Sequence, residues 1–249
     1  MKILFSILLL SIIFAFNIFS QNIKIAAAAN TQFVIKDLII TFEKDADFEV
    51  HPIIGSSGKL VAQISHGAPY HIFISANMKY AKYLYKEGNT IAESIVYAKG
   101  SGVLWTTKTN LDLSEGLSIV LSDKVKTIAI ASPKNAPYGA LALEALKEAD
   151  YYEKIEDKLV FGSSISQVNQ YITLGTVDLG ITAKSIVMSP LLKKTGVWVD
   201  IEDHYIDQGM VMLRYSELNE RENAQKFFDF LQSEIAQDIF KKYGYIVNQ

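Results

Sequence analysis

The sequence predicts an α/β protein of two lobes, each a mainly parallel sheet flanked by helices, with a ligand cleft between them. Three observations carry this. Short apolar runs alternate with longer amphipathic ones along nearly the whole chain, the pattern of strands joined through helices. The alternation falls into two series, one before Gly102 and one after it. The 249 residues, 49% hydrophobic and 20% charged, fit one large domain or two modest lobes.

The first twenty residues stand outside that pattern. "MKILFSILLLSIIFAFNIFSQ" has one Lys near its start and then an apolar run. Ile18 and Ser20 occupy the −3 and −1 positions of a cleavage site before Gln21, as in a secretory signal peptide. The other reading is an uncleaved anchor, because the run approaches the ~20 residues that span a bilayer. No basic cluster follows to stop transfer, so a soluble exported protein is the expectation. The chain has no cysteine, which excludes disulfides, a thiolate metal site, a thiol nucleophile and a lipid anchor at the cleavage site. A formal charge of −3 gives no reason to expect nucleic acid or an anionic membrane as partner.

The first lobe opens with "IKIAAAAN", a strand over Ile23–Asn30 that ends in small residues. Phe33, Val34, Leu38 and Phe42 then recur at helical spacing. Phe48, Val50, Ile53 and Ile54 predict a second strand, broken by Pro52. Leu60, Val61 and Ile64 form one helix face, stopped by Gly67 with Pro69 just beyond. "HIFISA" is a continuous apolar run, as for a parallel strand covered on both faces. In the second series "TIAIAS", "KLVFG", "VDLGIT" and "VWVDI" are strands, and "GALALEALKEAD" and "SISQVNQYITLG" are helices. "VLWTTK" near residue 105 and "GMVMLRY" near residue 212 bracket that series as candidate crossovers between lobes. The C-terminal segment predicts a helix pair on Phe227, Phe230, Leu231, Ile235, Ile239 and Phe240. The expected division is a signal peptide over 1–20, lobe I over 21–101 plus 209–249, and lobe II over 102–208.

Four strand-to-helix junctions carry the chemistry: Ala29-Asn30-Thr31, Gly55-Ser56-Ser57-Gly58, Asn135-Ala136-Pro137-Tyr138-Gly139, and Gly162-Ser163-Ser164-Ile165-Ser166. Two belong to each lobe. Ligands of open α/β sheets bind beyond the carboxyl ends of the strands, and helix N-termini there favour an anion. Glycine allows close backbone approach, and serine adds a donor without charge or bulk. Taken singly, such residues are ordinary helix caps, so the argument rests on the four together.

Other chemistries find less support. Gly58-Lys59 lacks the rest of a P-loop, since Leu60 and Ile53 stand where a hydroxyl and a glycine are needed. His66 and His71 have no carboxylate at metal-ligand spacing and are expected at the surface or in loops. No G-x-S-x-G elbow makes Ser56 or Ser57 a nucleophile. Tyr80, Tyr83 and Leu84 fit packing better than a stacking platform, and Trp105 and Trp198 fit the core.

The segments "AAAAN", "GSSGKLVAQISHGAPYHIFISA", "YAKGSGVLW", "IAIASPKNAPYGALALEAL", "KLVFGSSISQ", "VDLGITA" and "FLQSEIAQDIFKKYGY" resemble the periplasmic molybdate-binding proteins of ABC importers. The resemblance runs over nearly the whole mature chain. It implies the two-lobed type II periplasmic binding protein fold, which closes on a tetrahedral oxyanion by hydrogen bonds alone. Carried over by position, Asn30 and Ser57 contact the ligand from the first lobe, and Tyr138 and the backbone at Ile165 from the second. These are contacts to oxyanion oxygens, not direct ligands to the metal atom. Many members have Ser at Asn30; some have Ala at Tyr138 and a ligand-binding Tyr at Ala183, which here has no side-chain donor. The resemblance implies a monomeric periplasmic protein with no catalytic step. It takes molybdate or tungstate as bound ligand, uses no cofactor, and has an inner-membrane ABC permease as partner. A binding protein for another oxyanion such as sulfate, and a secreted α/β enzyme, are the alternatives.

Overall fold

A computed structural model of the protein describes residues 22–247, so the expected signal peptide lies outside the described residues. Eight strands form a continuous sheet: β1 (Ile23–Ala28), β2 (Val50–Gly55), β3 (Ile72–Ser75), β4 (Ile95–Thr106), β5 (Ile128–Ala131), β6 (Leu159–Gly162), β7 (Leu179–Ala183) and β8 (Val197–Met212). Their order is β2-β1-β3-β8-β4-β7-β5-β6. β1 pairs in parallel with β2 and β3, and β5 pairs in parallel with β6 and β7. β4 and β8 are antiparallel to each other and to the strands beside them, so they join the two parallel halves.

The helices are α1 (Val34–Phe42), α2 (Ser57–Ser65), α3 (Met78–Lys86), α4 (Pro137–Glu148), α5 (Tyr152–Ile155), α6 (Ile165–Thr173), α7 (Lys184–Val187), α8 (Tyr215–Leu218), α9 (Arg221–Phe230) and α10 (Glu234–Lys242). Each longer helix buries the stripe its spacing dictates. Val34, Ile35, Leu38 and Ile39 of α1 join Phe227, Leu231 and Phe240 in the core of the first half. Leu141, Ala142, Ala145 and Leu146 of α4 are buried in the second half. Ile235 departs from expectation: it is 59% exposed, and Ala236 takes the buried position in α10.

Pro52 does not break β2. That strand lies at the edge of the sheet and pairs only with β1, where a residue without an N–H is tolerated. "VWVDI" and "GMVM" are not separate elements but the two ends of β8, which runs through both halves. "VLWT" likewise closes β4, and both shared strands begin well before the expected crossover points. Register shifts between Val96 and Ala98 and between Ser101 and Val103 interrupt the β4–β8 ladder where it passes between halves. His71 lies in the bend before β3, as expected of a loop residue, but it is buried: its Nδ1 accepts the Lys24 backbone N–H at 2.9 Å and its ring meets Tyr215 edge-on.

Candidate anion-binding site

The carboxyl ends of β1, β2 and β3 from one lobe meet those of β5 and β6 from the other at one small cavity. Asn30 reaches it from the single 3-10 turn after β1, and Ser56 and Ser57 from the start of α2. Ala76 follows β3, Tyr138 lies in the first turn of α4, and Ile165 opens α6. No lining residue is charged. The space available to the centre of a water-sized sphere is about 10 Å³. A spherical occupant filling it would have a radius of roughly 2.7 Å. That is the size of a small polyatomic ion.

Helix geometry supplies the donors. Ser57 and Ile165 are the first residues of α2 and α6, and Tyr138 is the second of α4, behind Pro137. A backbone N–H at such a position has no acceptor within its own helix. Three helix dipoles therefore present partial positive charge to one uncharged cavity. The Ser57 hydroxyl oxygen accepts the Ala76 N–H at 3.0 Å, which fixes the side chain and leaves its proton free to donate.

A buried polar network backs this wall. The Asn30 amide donates to Gln208 Oε1 at 2.9 Å and to the Tyr245 hydroxyl at 2.8 Å, and the Ser185 hydroxyl donates to the Asn30 carbonyl at 2.8 Å. Gln208 also donates to the Tyr138 hydroxyl at 3.4 Å. Burial pushes the Tyr138, Tyr97 and Tyr245 hydroxyls well above the usual phenol range, so they stay protonated. Gly100 on β4 gives the Tyr138 hydroxyl its place, since a Cβ there would collide with it and with Gln208. Asn30 Oδ1 and Ser56 Oγ are buried with no hydrogen-bond partner.

Further bonds cross between the lobes beside the cavity. The Gly58 N–H donates to the Asn135 carbonyl at 2.9 Å. The Tyr80 hydroxyl donates to the Lys134 carbonyl at 3.1 Å, and the Ser166 hydroxyl to Gln32 Oε1 at 3.0 Å. The two lobes are thus in closed contact around the site.

The structure brings Asn30, Ser57, Tyr138 and Ile165 to one cavity, drawing on all four sequence-predicted junctions. Ala183 is fully buried at the start of α7 and does not line it. Sequence reasoning missed Ala76, on the junction between β3 and α3, and also Gln208 and Tyr245, which lie on no strand-to-helix junction and carry no local pattern. It treated Tyr80 as packing alone, although its hydroxyl reaches the other lobe. Larger surface hollows carry charged linings instead, Glu144, Glu148 and Asp203 in one and Lys44, Asp45, Asp47 and Lys226 in another.

A two-lobed α/β protein with a small uncharged, donor-lined cavity between its lobes is built as a solute-binding protein. The chain belongs to the bacterial extracellular solute-binding protein family, whose pattern it matches over residues 23–246. It is homologous to the molybdate-binding protein ModA of Azotobacter vinelandii, 36% identical over 231 residues that cover 91% of this chain and 90% of the relative. ModA of Rhodobacter capsulatus is 35% identical over 225 residues, 89% of this chain and 86% of that protein. Among solved structures, the Azotobacter vinelandii periplasmic molybdate-binding protein superposes with a TM-score of 0.85 at 28% identity, covering 91% of this chain and all of that one.

Proposed function

We propose that the protein captures molybdate or tungstate outside the inner membrane and delivers it to an ABC permease. The carrying observation is the cavity itself, where three helix N-termini and the Asn30 turn converge from two lobes without a charged residue. Neutral donors on fixed backbone test the shape of a dianion, whereas a flexible cation would bind many anions with less discrimination. In this reading Asn30, Ser57, Tyr138 and Ile165 contact the oxygens of the ion, through side chain or backbone N–H. The lobes part and close about the shared β4 and β8 strands, and the permease recognises the closed form. No bond is made or broken in the ligand.

The homology to molybdate-binding proteins supports molybdate over other tetrahedral ions. Among the described residues no helix is long and apolar enough to cross a membrane. Calorimetric titration of the mature protein with molybdate, tungstate, sulfate and phosphate tests the proposal. Tight binding of the first two and weak binding of the others is expected; sulfate bound as tightly as molybdate would overturn the specific assignment.

A further inference from the structure

Ser56 occupies the N-cap of α2, with φ −70° and ψ 143°. A serine there ordinarily accepts an N–H from the second or third helical residue. Asn77, Ser164 and Ser233 stand at the same position of α3, α6 and α10, and each does so, accepting from Tyr80, Gln167 and Ala236 at 3.2, 3.4 and 3.2 Å. Ser56 makes no such bond. The Gly58 N–H, one of the donors it would cap, goes across to Asn135 of the other lobe instead. Ser56 is only 3% exposed, lines the cavity, and its Oγ has no partner. A buried hydroxyl left without a partner is destabilising and rare in folded proteins, so each instance calls for a reason.

We propose that the Ser56 hydroxyl is a direct donor to the bound oxyanion, a contact additional to those of Asn30, Ser57, Tyr138 and Ile165. The inference rests on the oxyanion-binding reading of the same cavity. Ser56 and Ser57 then act as a pair from one junction. Ser57 is braced by Ala76, while Ser56 makes no capping bond, and one of the two N–H groups it could cap, that of Gly58, is held by Asn135 of the other lobe. The ligand supplies the acceptor that the protein withholds from this hydroxyl.

The test compares the parent protein with Ser56→Ala and Ser56→Gly by calorimetric titration with molybdate and by melting of the ligand-free forms. Glycine is itself a competent N-cap, so the second variant removes the hydroxyl without loss of capping ability. Both variants are expected to bind molybdate about ten-fold or more weakly, as for a lost hydrogen bond to a charged group. The ligand-free melting temperature should stay near the parent's for Ser56→Gly and fall for Ser56→Ala only by the worth of the cap that the open form regains. If both bind as tightly as the parent, the hydroxyl makes no ligand contact and the inference is overturned. A lower ligand-free melting temperature with unchanged affinity would assign Ser56 a structural role and overturn it equally. A parent that binds no tetrahedral oxyanion would instead remove the functional reading on which the inference stands.

Discussion

Closure of the lobes can be tested with a single methyl group at Gly58. A Cβ built there lies 2.8 Å from the Tyr80 hydroxyl, 3.0 Å from Asn135 Cα and 3.0 Å from the Asn135 carbonyl oxygen. The Tyr80 side chain can rotate aside. The Asn135 backbone has less freedom, because its N–H is bonded to the Ser132 carbonyl at 3.2 Å in the turn that leads into α4. Carbon contacts are most favourable at about 3.5–4.0 Å, so the lobes must part by roughly 0.5–1 Å to admit the methyl. Overpacking of that kind costs about 1–3 kcal/mol. Stretching the bond from Gly58 to Asn135 adds part of the ~0.5–1.5 kcal/mol that a hydrogen bond contributes. Both terms act only when the lobes are together, since Asn135 belongs to the opposite lobe. The open form gains slightly, because alanine is the better helix former by up to ~1 kcal/mol. Gly58→Ala should therefore shift the opening equilibrium by about 2–3 kcal/mol and weaken molybdate binding roughly 30- to 150-fold. Titration calorimetry reads the affinity, and a melt of the ligand-free protein should show no loss of stability. A variant that binds like the parent would mean that the contact from Gly58 to Asn135 plays no part in the bound state.

Three other perturbations separate the site from its scaffold. Ser57→Ala should weaken molybdate binding by about 1.5–3 kcal/mol, the range for a hydrogen bond to a charged group. Because Ser57 also holds the Ala76 N–H, its ligand-free melting temperature should fall as well; unchanged affinity would reduce Ser57 to that bracing role. Tyr138→Phe should lower affinity about ten-fold if the hydroxyl proton reaches the ion. Equal affinity would leave the second lobe to its backbone donors, with the hydroxyl serving only Gln208. Burial holds the His71 pKa below its usual 6.5, although a backbone bond to Lys24 opposes this in part. The unfolded chain then takes up a proton that the folded protein refuses, so stability is complete above about pH 6.5 and falls as the pH drops below it. Melting curves between about pH 7 and 5 should fall less steeply for His71→Asn than for the parent; parallel curves would exclude His71 as the titrating group.

Most of the fold was legible because periodicity is a local signal. The α1 stripe and the run of "HIFISA" each declare their element type within ten residues. The four junctions were legible for a related reason: small and hydroxyl residues between a strand and a helix mark the edge where open sheets bind ligands. What stayed hidden depends on residues far apart in the chain. Gln208 contacts Asn30 across 178 positions and Tyr245 across 215, and nothing local to either marks it as a neighbour of the site. Pro52 misled because an edge strand and an interrupted one look alike until the pairing is known. His71 misled because a histidine that replaces a ladder acceptor has no distinguishing neighbours in sequence.

Ser56 is the sharper case. Its sequence context, Gly-Ser-Ser-Gly ahead of an apolar stripe, is that of an ordinary cap, and its backbone angles are those of one. The structure shows that the capping bond has been given up, and that the Gly58 N–H beside it is bonded to the other lobe. Opening the lobes would release this N–H and let Ser56 turn back to cap α2. Closing them would withdraw it and leave the hydroxyl needing an acceptor. The same hydroxyl would therefore favour the open form in the absence of ligand and the closed form in its presence. Such a coupling makes an empty closed state costly.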